Sequence, residues 1–143
     1  MATNLSGNVD DILGSLTGYE LLAGILANSK RVERFEVKAL YTFLAGLKER
    51  YPRALRYMSF RRMGDRVMSP EVDQYLRFFR IGKILRLSAM PNPVVQLYQV
   101  PQAARDSLGR DIEDRKLSDR QKEVLTQLSA QFEATVTHPQ TTS

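Results

Sequence analysis

The sequence predicts an α+β domain, mainly α, in the order helix, helix, strand, helix, β-hairpin, with one more helix at the C-terminal end. Three observations predict it. Apolar residues recur at the i, i+3, i+4, i+7 spacing of a single helix face over residues 21–26, 37–51, 72–79 and 124–132. Side-chain capping signals precede three of these stretches. Short runs at 55–61, 83–87 and 94–100, bounded by Gly, Pro, Asn and Asp, read as strands. At 143 residues, with 43% hydrophobic and 26% charged residues, the chain is long enough for one domain around one core.

Residues 1–16 read as an N-terminal segment, with a short helix capped by Asn8 and stopped near Gly14. Thr17 and Glu20 form a T-x-x-E capping box, with Leu16 and Leu21 at the staple positions. Leu21, Leu22, Ile25 and Leu26 then make one apolar face, and Asn28 stops the helix. After the link Ser29-Lys30-Arg31, the residues Val37, Leu40, Tyr41, Leu44, Leu47 and Tyr51 define the strongest helix, which Pro52 ends. Residues 55–61 alternate as a half-exposed strand, and Gly64-Asp65 marks a turn.

Ser69-Pro70-Glu71 is a sharp helix start: an N-cap, a proline suited to the first turn, and a carboxylate opposing the dipole. Val72, Tyr75, Leu76 and Phe79 form its buried stripe, and Gly82 ends it. Residues 83–87 and 94–100 then pair as a hairpin around Pro91-Asn92-Pro93, and a small helix over 102–108 stops before Gly109. Residues 110–116 read as a charged loop within a C-terminal helix region, 110–133. There Ser118 and Gln121 make a second capping box before the stripe Val124, Leu125, Leu128 and Phe132. Residues 134–143 read as a disordered tail.

Composition narrows the function. With no cysteine and one histidine, His138, disulfides, thiolate metal sites and Cys- or Ser/His-based nucleophilic catalysis are not expected. No signal-peptide pattern or membrane-length apolar run is visible, so a cytoplasmic location and no membrane contact are expected. The net charge of +5 is unevenly placed. Residues 53–87 hold nine Arg/Lys against three Asp/Glu, a net of +6, while the remainder is −1. Such a patch attracts phosphate backbones, acidic proteins or anionic lipid, or is simply a solvated face.

Catalytic patterns do not converge. Glu36-Val37-Lys38 has the E-x-K spacing of a nuclease motif but falls in a helix-forming stretch. Asp111, Glu113 and Asp114 lack a regular calcium-loop spacing, and adjacent Asp10 and Asp11 would not face each other on a helix. Met58, Met63 and Met68 fit neither helical nor strand spacing and read as core or edge filler. No catalytic residues, metal site or cofactor are expected.

The pieces E-L-L-A-G-I-L-A, F-E-V-K-A-L-Y-T-F-L, Y-M-S-F, S-P-E-V-D-Q-Y-L-R-F-F-R-I-G-K-I-L and L-Y-Q-V-P-Q-A-A follow one another over residues 19–108. In this order they resemble a winged helix-turn-helix, which makes residues 17–109 a winged-helix-like domain. The run 35–85 also resembles small bacterial proteins related to SocA-like antitoxins, which are thought to serve in toxin neutralisation and defence operons. The winged-helix resemblance implies a recognition helix over 70–81 and a wing tip at Pro91-Asn92-Pro93. Gln74, Arg77 and Arg80 would face base edges, with Arg61, Arg62, Arg66, Lys83 and Arg86 as flanking phosphate contacts.

Two features oppose a DNA partner: Glu71 and Asp73 at the start of that helix, and a wing without Arg or Lys. Tyr57, Phe60, Tyr75, Phe78 and Phe79 interleave with arginines as in single-strand binders, although Tyr75 and Phe79 sit on the core stripe. Phe78 lies off that stripe and is a candidate partner contact. The sequence therefore reads as a non-catalytic binding module. DNA is the first expected partner and a protein, in an antitoxin-like or defence-accessory role, is the second. A homodimer through the helix over 118–133 is expected by analogy with winged regulators.

Overall fold

A computed structural model describes residues 5–64, 66–87 and 97–137. The described residues are mainly helical, with two small antiparallel sheets. In order it runs α1 (Leu5–Gly14), α2 (Gly18–Asn28), β1 (Arg34–Glu36), α3 (Val37–Arg50), β2 (Arg61–Met63), β3 (Arg66–Met68), α4 (Pro70–Ile81), β4 (Arg86–Leu87), β5 (Leu97–Gln99), α5 (Gln102–Asp114) and α6 (Asp119–Thr137).

Helix α2 is the centre of the fold. The Thr17 hydroxyl accepts from the Glu20 N–H, and the Glu20 carboxylate accepts from the Thr17 N–H. Residues Leu21, Leu22, Ala23, Gly24, Ile25, Leu26 and Ala27 are all buried. A helix apolar all round must be covered on all sides, and α5 and α6 both pack on it. Gly24 permits the close approach of α6: a Cβ there would stand 2.7 Å from Leu125 Cδ1. The buried Ser129 hydroxyl of α6 donates to the Ile25 carbonyl across that contact at 3.0 Å.

Phe132, fully buried on α6, meets Phe43 at 5.3 Å and Phe35 at 5.7 Å between ring centroids, joining α3 and the larger sheet to the same core. That sheet has the order β1-β5-β4, all antiparallel. Phe35 pairs with Tyr98 on its core side, and Arg34, Gln99 and Arg86 form the adjacent row. The second sheet is the hairpin β2-β3, which turns at Gly64 (φ +69°), a left-handed position that suits glycine.

Several boundaries differ from the sequence-based expectation. The strand expected at 55–61 lies instead at 61–63. Residues 52–57 form turns, with Leu55 N–H bonded to the Tyr51 carbonyl and Met58 N–H to the Leu55 carbonyl. Their buried residues Ala54, Leu55 and Met58 follow a helix-like spacing rather than alternation. A strand not expected, β1, fills the link before α3, so Glu36 of the E-x-K triplet is on a strand and only Val37 and Lys38 are helical.

The strand expected at 83–87 shrinks to Arg86–Leu87 because the chain first wraps the end of α4. There the Ile84 and Leu85 N–H groups both donate to the Phe79 carbonyl. Helix α1 starts at Leu5, so Asn8 is inside it rather than capping it. Helix α5 runs through the expected stop at Gly109 and most of the expected loop at 110–116. Ile112 continues the buried stripe of Ala104, Arg105 and Leu108, and its burial offsets the roughly 1 kcal/mol cost of an interior glycine.

The N-terminal segment and the C-terminal region belong to the same core as the middle of the chain, through Val9, Leu13 and Leu16 at one end and Val124, Leu125, Leu128 and Phe132 at the other. Helix α6 continues to Thr137, with Val136 packed against the core, so residues 134–137 of the expected tail are helical. Its apolar stripe is covered by α2 and α3 of the same chain. The expected wing tip at 91–93 and the remainder of the expected tail lie outside the described residues.

Candidate nucleic-acid interface

Helix α4 is built to show one face. The Ser69 hydroxyl accepts from the Val72 N–H, and Pro70 opens the helix. Val72, Leu76 and Phe79, at i, i+4 and i+7, are buried at 0%, 2% and 1% exposure. The opposite side leaves Asp73, Gln74, Arg77, Phe78, Arg80 and Ile81 in solvent.

The two carboxylates at the start of α4 differ in use. Glu71 turns back on the chain: one of its oxygens accepts from the Ser59 N–H at 2.8 Å, the Ser59 hydroxyl at 2.9 Å and the Ser69 hydroxyl at 3.3 Å. These bonds from Ser59 hold its carboxyl below the ordinary carboxylate range. Glu71 is thus a clasp between the segment before β2 and the first turn of α4. Asp73 remains at the surface. Desolvation raises its carboxyl above the ordinary value, against the opposing pull of Arg77 one turn on.

The predicted site residues fall on three adjoining pieces of chain. Gln74, Arg77 and Arg80 lie on the open side of α4 as expected. Lys83 follows the C-cap Gly82 with φ +63°, and Arg86 is on the edge strand β4. Arg61 and Arg62 are exposed on β2, and Arg66 opposes Met63 in the register of the hairpin. Among the described residues, Arg61, Arg62, Arg80, Lys83 and Arg86 form no salt bridge or side-chain hydrogen bond, and Arg77 has only the field of Asp73.

Phe78, the candidate partner contact, is 65% exposed, and Ile81 beside it is 73% exposed. The other aromatic candidates divide. Tyr57 is exposed with the Arg56 guanidinium 4.5 Å over its ring, Phe60 and Tyr75 are half-buried, and Phe79 is core. Of the methionines, Met58 is core, whereas Met63 and Met68 are exposed on the hairpin and fill no core space.

Sequence reasoning missed two residues. Arg34 lies opposite Gln99 on β5, and Gln99 in turn lies opposite Arg86, so two arginines distant in sequence share one row of the sheet. Only strand register reveals this, because a three-residue strand carries too little alternation to be recognised. Ile81 lies at i+7 from Gln74 and was legible from helical spacing alone.

No family model matches the chain, and no curated protein and no solved structure matches it.

Proposed function

We propose that this chain is a non-catalytic binding module: a winged-helix DNA-binding regulator, acting in the cytoplasm, with α4 as the element that meets the nucleic acid. The observation that carries this reading is the group of exposed cations on and beside α4 without carboxylate partners among the described residues. Arginines spent on internal ion pairs are not available to phosphates; Arg80, Lys83 and Arg86 make no such pair among the described residues.

The topology lends support. The helices α2 and α3, the strand β2, the helix α4 and the antiparallel pair β4-β5 follow in the order the resemblance implies, with β1 and β3 as additional strands. Glu71 is held in its clasp with Ser59, so it has a structural role besides its charge. A test is fluorescence anisotropy on a random-sequence duplex across a salt series. The expected result is a steep linear fall of log affinity with log salt, and a slope reduced by about 2 in Arg77→Ala/Arg80→Ala, one counterion per lost contact. No binding even at low salt would overturn the reading.

A second reading, a protein-interaction module of the antitoxin-like or defence-accessory kind, is favoured by Phe78 and Ile81. Interface centres are enriched in aromatic residues, Met and Arg, and Phe78 and Ile81 stand in water beside Arg77 and Arg80.

A further inference from the structure

We propose that the outer stripe of α4 takes unpaired bases, so that the preferred ligand is a nucleic acid with a melted, bulged or single-stranded segment; this rests on the nucleic-acid reading above. Among the described residues, the large hydrophobic side chains that stand exposed are Tyr57, Met63, Met68, Phe78 and Ile81. All of them fall within the segment that carries the excess positive charge. Exposed apolar and cationic groups are therefore concentrated in the same segment of the chain.

Their exposure is not a packing defect. Gln74, Phe78 and Ile81 stand at i, i+4 and i+7 and form one stripe, while the core need of α4 is already met by the opposite stripe of Val72, Leu76 and Phe79. Arg77 and Arg80 lie along one side of the outer stripe. On the hairpin, Val67 packs against the core and pairs with Arg62, so Met63 and Met68 fall on the other side of the ribbon.

A paired duplex does not match this surface. It offers phosphates on its outside and base edges in its grooves, where the apolar groups are thymine methyls; the faces of its bases are stacked away. An unpaired nucleotide offers an anionic phosphate and a flat apolar face together. Arg77 and Arg80 would take the phosphates, the Phe78 ring a base face, Ile81 the apolar remainder, and the Gln74 amide a base edge. Asp73 disfavours phosphate at the start of the helix and so biases the ligand toward the C-terminal half of α4, where these residues lie.

The test is anisotropy with the full chain on three oligonucleotides of one sequence: a perfect duplex, the same duplex with a central unpaired bubble, and the single strand. Wild type is expected to bind the bubble and the single strand about tenfold or more tightly than the duplex, the size of one stacked base. Phe78→Ala/Ile81→Ala should abolish that preference and leave duplex affinity in place. Both side chains are exposed, so folding should be unaffected, which circular dichroism checks. Arg77→Ala/Arg80→Ala should weaken all three ligands. Equal or tighter binding of the perfect duplex, unchanged in Phe78→Ala/Ile81→Ala, would overturn the unpaired-base inference while leaving DNA binding intact. Failure to bind any of the three at low salt would overturn both this inference and the nucleic-acid reading.

Discussion

The α2-α5-α6 body and the α4-hairpin region use the same residue type in opposite ways. In the body, two arginines are structural, Arg105 and Arg115. Arg105 is 4% exposed and donates from Nη1 and Nη2 to the carbonyls of Lys30 and Val32 in the link after α2. Burial lowers its guanidinium below the ordinary value, and the nearby charges of Glu133, Asp106 and Glu33 oppose that shift. Arg115 bridges Glu20 and Asp111 and lies 4.9 Å over the Tyr19 ring, and Arg53 pairs with Asp11 just before the hairpin region. On the outer side of α4, Arg77 and Arg80 stand in solvent beside the uncovered Phe78 and Ile81. The contrast shows that a positive charge count says little until each cation is assigned to an internal partner or to solvent.

The contrast breaks first in the core. Phe132→Ala should cost about 3–5 kcal/mol, read by denaturant unfolding, because a fully buried ring touching two others is lost. A loss under 1 kcal/mol would mean that α6 is not integral to the body. Arg105→Ala is expected to cost about 2 kcal/mol by leaving two carbonyls without their donors. Arg105→Lys should rescue little, since one ammonium does not reproduce the two-armed geometry.

On the other side of the comparison, Arg77→Ala/Arg80→Ala should change stability by no more than about 0.5 kcal/mol, because neither side chain makes a hydrogen bond or salt bridge among the described residues. A larger loss would move these arginines into the structural class. The smallest effect concerns Glu71, which joins the segment before β2 to α4. Its folded value lies below its unfolded one, so its contribution is complete above the ordinary carboxylate range and fades as pH falls through that range. The Ser59 amide resonance should titrate with it, and Glu71→Gln should remove that titration.

Legibility in the sequence follows the range of the interactions. The Thr17/Glu20 and Ser118/Gln121 boxes both form as reciprocal bonds, and Ser69-Pro70 opens α4, because each is complete within a few residues. The outward position of Gln74, Arg77, Phe78 and Arg80 was legible for the same reason: helical spacing against an apolar stripe settles which side faces water. The length of α5 was not, because Gly109 is a stop signal only if nothing beyond it is buried, and Ile112 is buried by distant partners. Nor was the row Arg34-Gln99-Arg86, which depends on two strand registers.

The sequence by itself determined the mainly helical class, the helix caps, the stripes of α2, α3, α4 and α6, and the concentration of positive charge in residues 53–87. These depend on near neighbours and on the 3.6-residue period. Only the tertiary structure decided that both ends of the chain share one core, that α6 spends its apolar stripe inside the molecule, and which arginines are held by carbonyls and carboxylates and which stand in solvent. Those outcomes depend on contacts between residues as far apart as Arg31 and Glu133, where the Arg31 N–H donates to the Glu133 carboxylate at 2.8 Å. Local propensity carries no information about which distant segment will supply the other half of such a contact.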